Sequence, residues 1–145
     1  MLDRPLSATS KEPGILIDRL LYRSRSVGPL PEVALERIFR ISVPKNARLD
    51  ITGALGFSQL TYIQLLEGPS SSLDQMMETL AADPRHSELI VLLRSSSERR
   101  LLPGWSMARV NLAKMVPQVE ELLRAEDGLG LTALMATLAH EGVAN

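Results

Sequence analysis

Ile51-Thr-Gly-Ala-Leu-Gly-Phe57 and Thr61-Tyr-Ile-Gln-Leu-Leu-Glu67, separated by Ser58-Gln-Leu60, read as two strands joined by a short turn. Apolar, β-branched and aromatic residues crowd both segments, and such residues suit a pleated, buried surface. The turn chemistry is poor, because Leu60 stands where a hairpin favours glycine. Gly68-Pro69 then breaks the chain. Ser70-Ser71-Ser72 offers N-caps, and Ser72 with Gln75 has the spacing of a capping box. Leu73, Met76, Met77 and Leu80 recur at i, i+3, i+4 and i+7, which predicts an amphipathic helix ending before Pro84.

Upstream of this block, Ile15–Tyr22 reads as a strand and Arg23–Leu30, with its serines, Gly28 and Pro29, as a loop. Pro31 suits the first turn of a helix, and Pro44 is expected to end it. Ala34, Ile38 and Ile41 form its apolar stripe. Downstream, Leu89-Ile-Val-Leu-Leu93 reads as a buried strand, and Arg99–Met107 as a loop leading into a last strand. From Leu112 the pattern is helical. Val116, Val119, Leu122 and Leu123 share one face, Asp127–Gly130 interrupts, and Leu131, Leu134, Met135 and Leu138 share another. The resulting order, β-α-β-β-α-β-β-α-α, predicts a ferredoxin-like α+β fold. Two helices lie on one face of a mixed sheet, and the two C-terminal helices are available for the other. Met1–Gly14 is polar, contains Pro5 and Pro13, and is expected to be a loose tail.

Composition narrows the function classes. A chain of 145 residues predicts one domain of ordinary size. Its formal net charge of −1 lacks the basic excess of a dedicated nucleic-acid binder, so no nucleic-acid partner is expected. With no cysteine, the chain has no disulfides, iron–sulfur clusters or thiolate metal sites. Leu89–Leu93 is the longest aliphatic run and is too short to span a membrane. The N-terminus has no apolar signal segment, so a cytoplasmic location is expected. The phosphate-binding P-loop, the dinucleotide fingerprint and the nucleophile elbow are all absent. His86 and His140 are far apart and lack acidic companions at ligand spacing, so no metal site is expected. Arg99-Arg100 reads as a solvated basic pair, and the chain has no internal repeat.

Two polar residues in apolar strands are more informative. Tyr22 closes the first strand, and Gln64 lies among Tyr62, Ile63, Leu65 and Leu66. A buried glutamine must find partners for its amide or cost about 1–3 kcal/mol per unsatisfied group. Alternation puts Gln64 on the face of Tyr62 and Leu66, and Tyr22 on the face of Leu20. If the two strands are neighbours, the Tyr22 hydroxyl and the Gln64 amide meet between the two helices. Taken alone, the pair reads first as a structural hydrogen bond and second as part of a site.

Several further segments line up with these two residues. They are Leu21-Tyr-Arg-Ser24, Asn46-Ala-Arg48, Ile51-Thr-Gly-Ala-Leu55, Gln64-Leu-Leu-Glu-Gly-Pro69, Asp83-Pro-Arg-His86 and Arg99-Arg100 followed by Gly104-Trp-Ser-Met107. In this order and spacing, over Ile15 to Val110, the sequence resembles the BLUF domains, blue-light sensors using FAD. The resemblance implies a non-covalent FAD with its isoalloxazine between the two helices. It makes Tyr22 the light-driven electron and proton donor, and Gln64 the bridge from Tyr22 to the flavin N5/O4 edge. Asn46 would hold the C4 carbonyl and N3 edge, with Ser24 near the same network. Ile38 and Leu80 would clamp the two ring faces, and Asp83 and Arg85 match a polar pair near the pocket. Lys45 and Thr79 occupy positions where the family often carries other residues near the cofactor. Trp105 and Met107, on the last strand, are where the family passes its signal outward.

A primary amide both donates and accepts, so Gln64 can present a changed hydrogen-bond pattern by rotation, tautomerisation or both. The expected division is a tail over 1–14, a photosensory domain over 15–110 and a helical extension over 111–145 for output or oligomerisation. No catalytic module is expected, so the signal should pass to a homo-oligomer or a separate output protein. Without bound flavin, the same chain would be a light-insensitive interaction module that kept the fold.

Overall fold

A computed structural model of the chain describes residues 16–27, 31–84 and 86–144. Its elements are β1 (Ile17–Ser26), α1 (Pro31–Arg48), β2 (Thr52–Ser58), β3 (Thr61–Gly68), α2 (Ser70–Ala81), β4 (His86–Ser97), β5 (Ala108–Asn111), a 3-10 turn (Ala113–Met115), α3 (Val116–Arg124) and α4 (Gly128–Ala144). The strands form one five-stranded sheet in the order β4-β1-β3-β2-β5. The first four strands pair antiparallel, and β5 adds to β2 in parallel. The ferredoxin-like α+β architecture is therefore present, with one strand added at its edge. The tail expected over 1–14 lies outside the described residues.

Strand alternation sorts the core onto two faces. Leu21, Ala54, Ile63, Leu65 and Val110 point to one face and pack against Val119, Leu123, Leu131, Met135 and Ala139 of α3 and α4. Leu20, Tyr22 and Leu66 point to the other, under Leu73 and Met76 of α2. Leu55 and Tyr62 share that second face under Ile38 of α1. The start of α4 lies hard against β4: a Cβ on Gly128 would fall 2.4 Å from the Leu92 carbonyl oxygen, so only glycine fits there.

The β2–β3 hairpin turns through Gln59 (φ 49°) and Leu60 (φ 71°), both in the left-handed region that a two-residue hairpin of this hand requires. Leu60 thus adopts the conformation that made it a poor turn residue. Four local expectations are corrected. β1 continues through Arg23 to Ser26, because it pairs with β3 as far as Arg25↔Thr61 and with β4 as far as Ser26↔His86. Helix α1 runs through Pro44 to Arg48. Proline removes the bond to the carbonyl four residues earlier, but Arg40 and Pro44 are both exposed, so water can take that bond. The apolar stripe of α1 runs through Leu35, Ile38 and Phe39, and Ile41 is exposed. Helix α2 starts after Pro69 without a side-chain cap, so the Ser72–Gln75 capping box does not form.

Strand β4 is also not buried throughout, since Ile90 and Val91 are 39% and 45% exposed. It is an edge strand, and only parts of it lie beneath helices. Leu89 packs against the α2 cluster, and Leu92 and Leu93 against the α3/α4 cluster. No helix among the described residues is long and apolar enough to cross a membrane.

Candidate flavin site

Tyr22 and Gln64 are direct register partners on β1 and β3, so their side chains rise side by side from the same face of the sheet. Both are buried. The Tyr22 hydroxyl donates a hydrogen bond to Gln64 Oε1. Gln64 Nε2 in turn donates to Met107 Sδ at 3.5 Å, a weak acceptor that ties up the amide only loosely. Burial pushes the Tyr22 phenol well above its ordinary range, and the negative charge of Asp83 and the neighbouring Tyr62 add to the effect. Tyr22 therefore keeps its proton across the physiological range.

The apolar cover over this pair is split in two. Leu73, Met76, Met77 and Leu80 of α2 form one cluster, and Leu35, Ile38 and Phe39 of α1 form another. Met107 packs against both. The Tyr–Gln pair is thus the polar floor between two apolar walls, with Ile38 on one and Leu80 on the other.

Asn46 reaches the site because α1 persists beyond Pro44. It is wholly buried on the face of α1 that also presents Leu35 and Phe39. Its Nδ2 donates to the Ser106 carbonyl at 2.8 Å, while its Oδ1 is buried without a hydrogen-bond partner. Such an acceptor is costly to leave unmade. Ser24 is buried on β1, two residues beyond Tyr22 on the same face. Lys45 is half-buried near the end of α1. Thr79 is exposed, and its hydroxyl donates to the Gln75 carbonyl of its own helix at 3.2 Å. Asp83 lies just beyond α2, near enough to Tyr22 to act on its phenol, and Arg85 lies outside the described residues.

Trp105 and Met107 precede β5, which begins at Ala108, rather than lying on it. A bend at Ser106 separates them. Met107 packs on the Tyr–Gln face, whereas Trp105 packs with the opposite cluster under α4. Its ring centroid lies 4.9 Å from that of His140.

Sequence reasoning missed Glu67. It lies on β3 with its carboxylate wholly buried, accepting from Arg19 Nε at 2.7 Å. It also accepts from the Leu101 and Leu102 backbone amides at 2.8 and 2.9 Å. The signal was a carboxylate ending an apolar strand, where alternation sends it to the face opposite Gln64. Arg100 is not merely solvated either: it donates to Thr52 Oγ1, the Glu67 carbonyl and the Asp50 carbonyl. These bonds pin the start of the 98–107 loop. A cavity of about 690 Å³ opens beside this loop, lined in part by Ile17, Asp50, Arg99 and Ser106, away from the Tyr–Gln pair.

An α+β domain with a buried tyrosine–glutamine pair between two helices is the class that fold and site define. Residues 17–108 match the BLUF family, sensors of blue-light using FAD, and the chain belongs to that family. The dark-state structure of BlrB, a BLUF protein, is similar at 33% identity and a TM-score of 0.74, covering 83% of this chain and 96% of that one. Photoactivated adenylate cyclase subunit beta of Euglena longa is 27% identical over 107 residues, 72% of this chain and 12% of the relative. The blue light- and temperature-regulated antirepressor BluF of Escherichia coli strain K12 is 32% identical over 78 residues, 54% of this chain and 19% of the relative. The chain thus spans under a fifth of the length of these two curated relatives.

The residues present fit the flavin that the family uses. The orphaned Asn46 Oδ1 is an acceptor suited to a ring N–H. The loosely held Gln64 amide can turn to a ring nitrogen or carbonyl, and the two apolar walls suit the faces of a flat aromatic system.

Proposed function

We propose that this chain is a blue-light photoreceptor in which Tyr22 and Gln64 form the photochemical pair. The observation that carries the assignment is the buried Tyr22–Gln64 hydrogen bond, backed only by the weak Met107 sulfur acceptor. FAD, when bound, supplies the blue absorption and the oxidising excited state. Asn46 would hold the ring's polar edge through Oδ1, while Ile38 and Leu80 cover its faces. Ser24, Lys45, Thr79, Asp83 and Arg85 are assigned to the pocket surroundings. A phenol that loses an electron becomes a strong acid. Tyr22 has one acceptor already in place, Gln64 Oε1, so its proton would pass along an existing hydrogen bond while the amide gave up one of its own N–H protons toward the reduced flavin. The Gln64 amide changes its donor and acceptor pattern and with it the bond to Met107.

The photosensory unit is assigned to 15–110 and the output or oligomerisation role to 111–145, with Trp105 and Met107 as signalling residues. The segment after the matched residues forms β5, the 3-10 turn, α3 and α4, and the output is assigned to contact of this segment with a second copy or a separate protein. A cytoplasmic location belongs to the same reading. The test is a light-minus-dark absorption spectrum of FAD-loaded wild type and Gln64→Ala. The wild type should show a small reversible red shift, and Gln64→Ala should bind flavin without shifting. A full, reversible shift in Gln64→Ala would remove the hydrogen-bond switch from this chain.

A further inference from the structure

The 98–107 loop is held differently at its two ends. Its first half is fixed to the sheet: the Leu101 and Leu102 amides both end on the buried Glu67 carboxylate, itself bonded to Arg19. Its second half is held partly by the candidate flavin site and partly by β2. Met107 Sδ accepts from Gln64, and the Ser106 carbonyl accepts from Asn46. The Trp105 carbonyl accepts from the Gly53 amide at 3.1 Å. A change at Gln64 or Asn46 thus bears directly on Met107 and Ser106, the two residues between Trp105 and Ala108 in the second half, whereas the first half is bonded to Glu67.

His140 of α4 touches both halves. Its Nε2 lies 2.9 Å from the Leu101 carbonyl oxygen. A carbonyl only accepts, so Nε2 carries the hydrogen. The same ring lies against Trp105 at a tilt of 57° and a centroid distance of 4.9 Å, within the range of favourable aromatic pairs. One side chain therefore bridges the anchored start of the loop and the segment attached to the pocket.

We propose that His140 is the positioning residue through which α4 reads displacement of Trp105 relative to Leu101. The inference rests on the reading of the 105–107 segment as light-responsive, and it adds the residue that receives the change. His140 is exposed and is not one of the buried α4 residues Leu131, Met135 and Ala139, so its replacement removes no buried side chain from that cluster.

The test is amide hydrogen exchange of α4 in the FAD-loaded protein, dark and illuminated, in wild type, His140→Ala, His140→Gln and His140→Phe. Wild type should show a light-induced exchange change in α4. His140→Ala should keep its flavin red shift and dark exchange pattern but lose at least four-fifths of the α4 change. His140→Gln retains a donor for Leu101 without the ring and should lose the response likewise. His140→Phe retains the ring and should keep a measurable part of it. If His140→Ala loosens α4 in the dark, His140→Gln carries the same expectation. An α4 response equal to wild type in both His140→Ala and His140→Gln would overturn the proposal, as would a silent α4 in a wild type whose flavin shifts. A wild type with no flavin shift would instead overturn the photoreceptor reading, and this inference with it.

Discussion

The sheet face under α3 and α4 and the face under α1 and α2 draw alternate residues from the same strands, yet they are packed differently. The first is a continuous aliphatic cluster from Leu21 to Ala139, closed by helices whose start rests on the β4 backbone. The second carries Tyr22, Ser24 and Gln64 in its buried floor and Asn46 on α1 above it, and its apolar cover is divided between two helices. Stability follows continuous apolar burial, whereas a ligand slot needs unmet polar groups and walls that do not close on each other. The contrast assigns folding energy chiefly to one face and binding to the other. The 105–107 segment crosses between them, with Met107 on the binding face and Trp105 on the closed face.

That contrast can be broken by substitution. The largest effect is expected on the closed face: Leu131→Ala, at a position with no exposure, should cost about 3 kcal/mol in denaturant unfolding and leave the flavin spectrum intact in the folded fraction. A cost below about 1 kcal/mol would show that this face does not dominate stability. Glu67→Ala should come next, at about 2–3 kcal/mol, because it unpairs Arg19 and strips the Leu101 and Leu102 amides of their acceptor. Arg19 is 14% exposed, so water offsets part of the loss. The binding face should behave in the opposite manner. Leu80→Ala removes a half-buried wall residue, so the apoprotein should lose less than about 1 kcal/mol while flavin affinity falls about tenfold by titration. A large stability loss with unchanged affinity would reverse the assignment of that wall.

Much of the fold was legible because long apolar segments alternate with turn and proline signals. The β2–β3 hairpin and the α2 stripe through Leu73 and Met76 follow directly from periodicity. Pro44 misled because a helix can continue through proline where the freed carbonyl is open to water, and solvent exposure is not written in local sequence. Leu89–Leu93 misled because a run of aliphatic residues does not say whether its strand is central or at an edge. In the site, Tyr22 and Gln64 stood out as polar residues among apolar ones, and strand pairing brought them together. Asn46 was accessible only through family resemblance, since its helix was expected to stop before it. Glu67 carried a local signal as a carboxylate ending an apolar strand, but its partners and those of His140 were hidden for a common reason. Those partners, Arg19, Leu101 and Trp105, are distant in sequence and meet Glu67 and His140 only through the sheet and the docked α4.

The central claim is that the Tyr22 hydroxyl, bonded to Gln64, is the group through which light alters the site. Tyr22→Phe removes that one oxygen while keeping the ring that packs beneath α2. It leaves Gln64 Oε1 short of a donor, at a stability cost of about 1–2 kcal/mol. The most direct measurement is the light-minus-dark absorption difference of FAD-loaded Tyr22→Phe beside wild type. The account predicts equal flavin loading in both, a reversible red shift in wild type and a flat difference spectrum in Tyr22→Phe. A full, reversible red shift in Tyr22→Phe would contradict it.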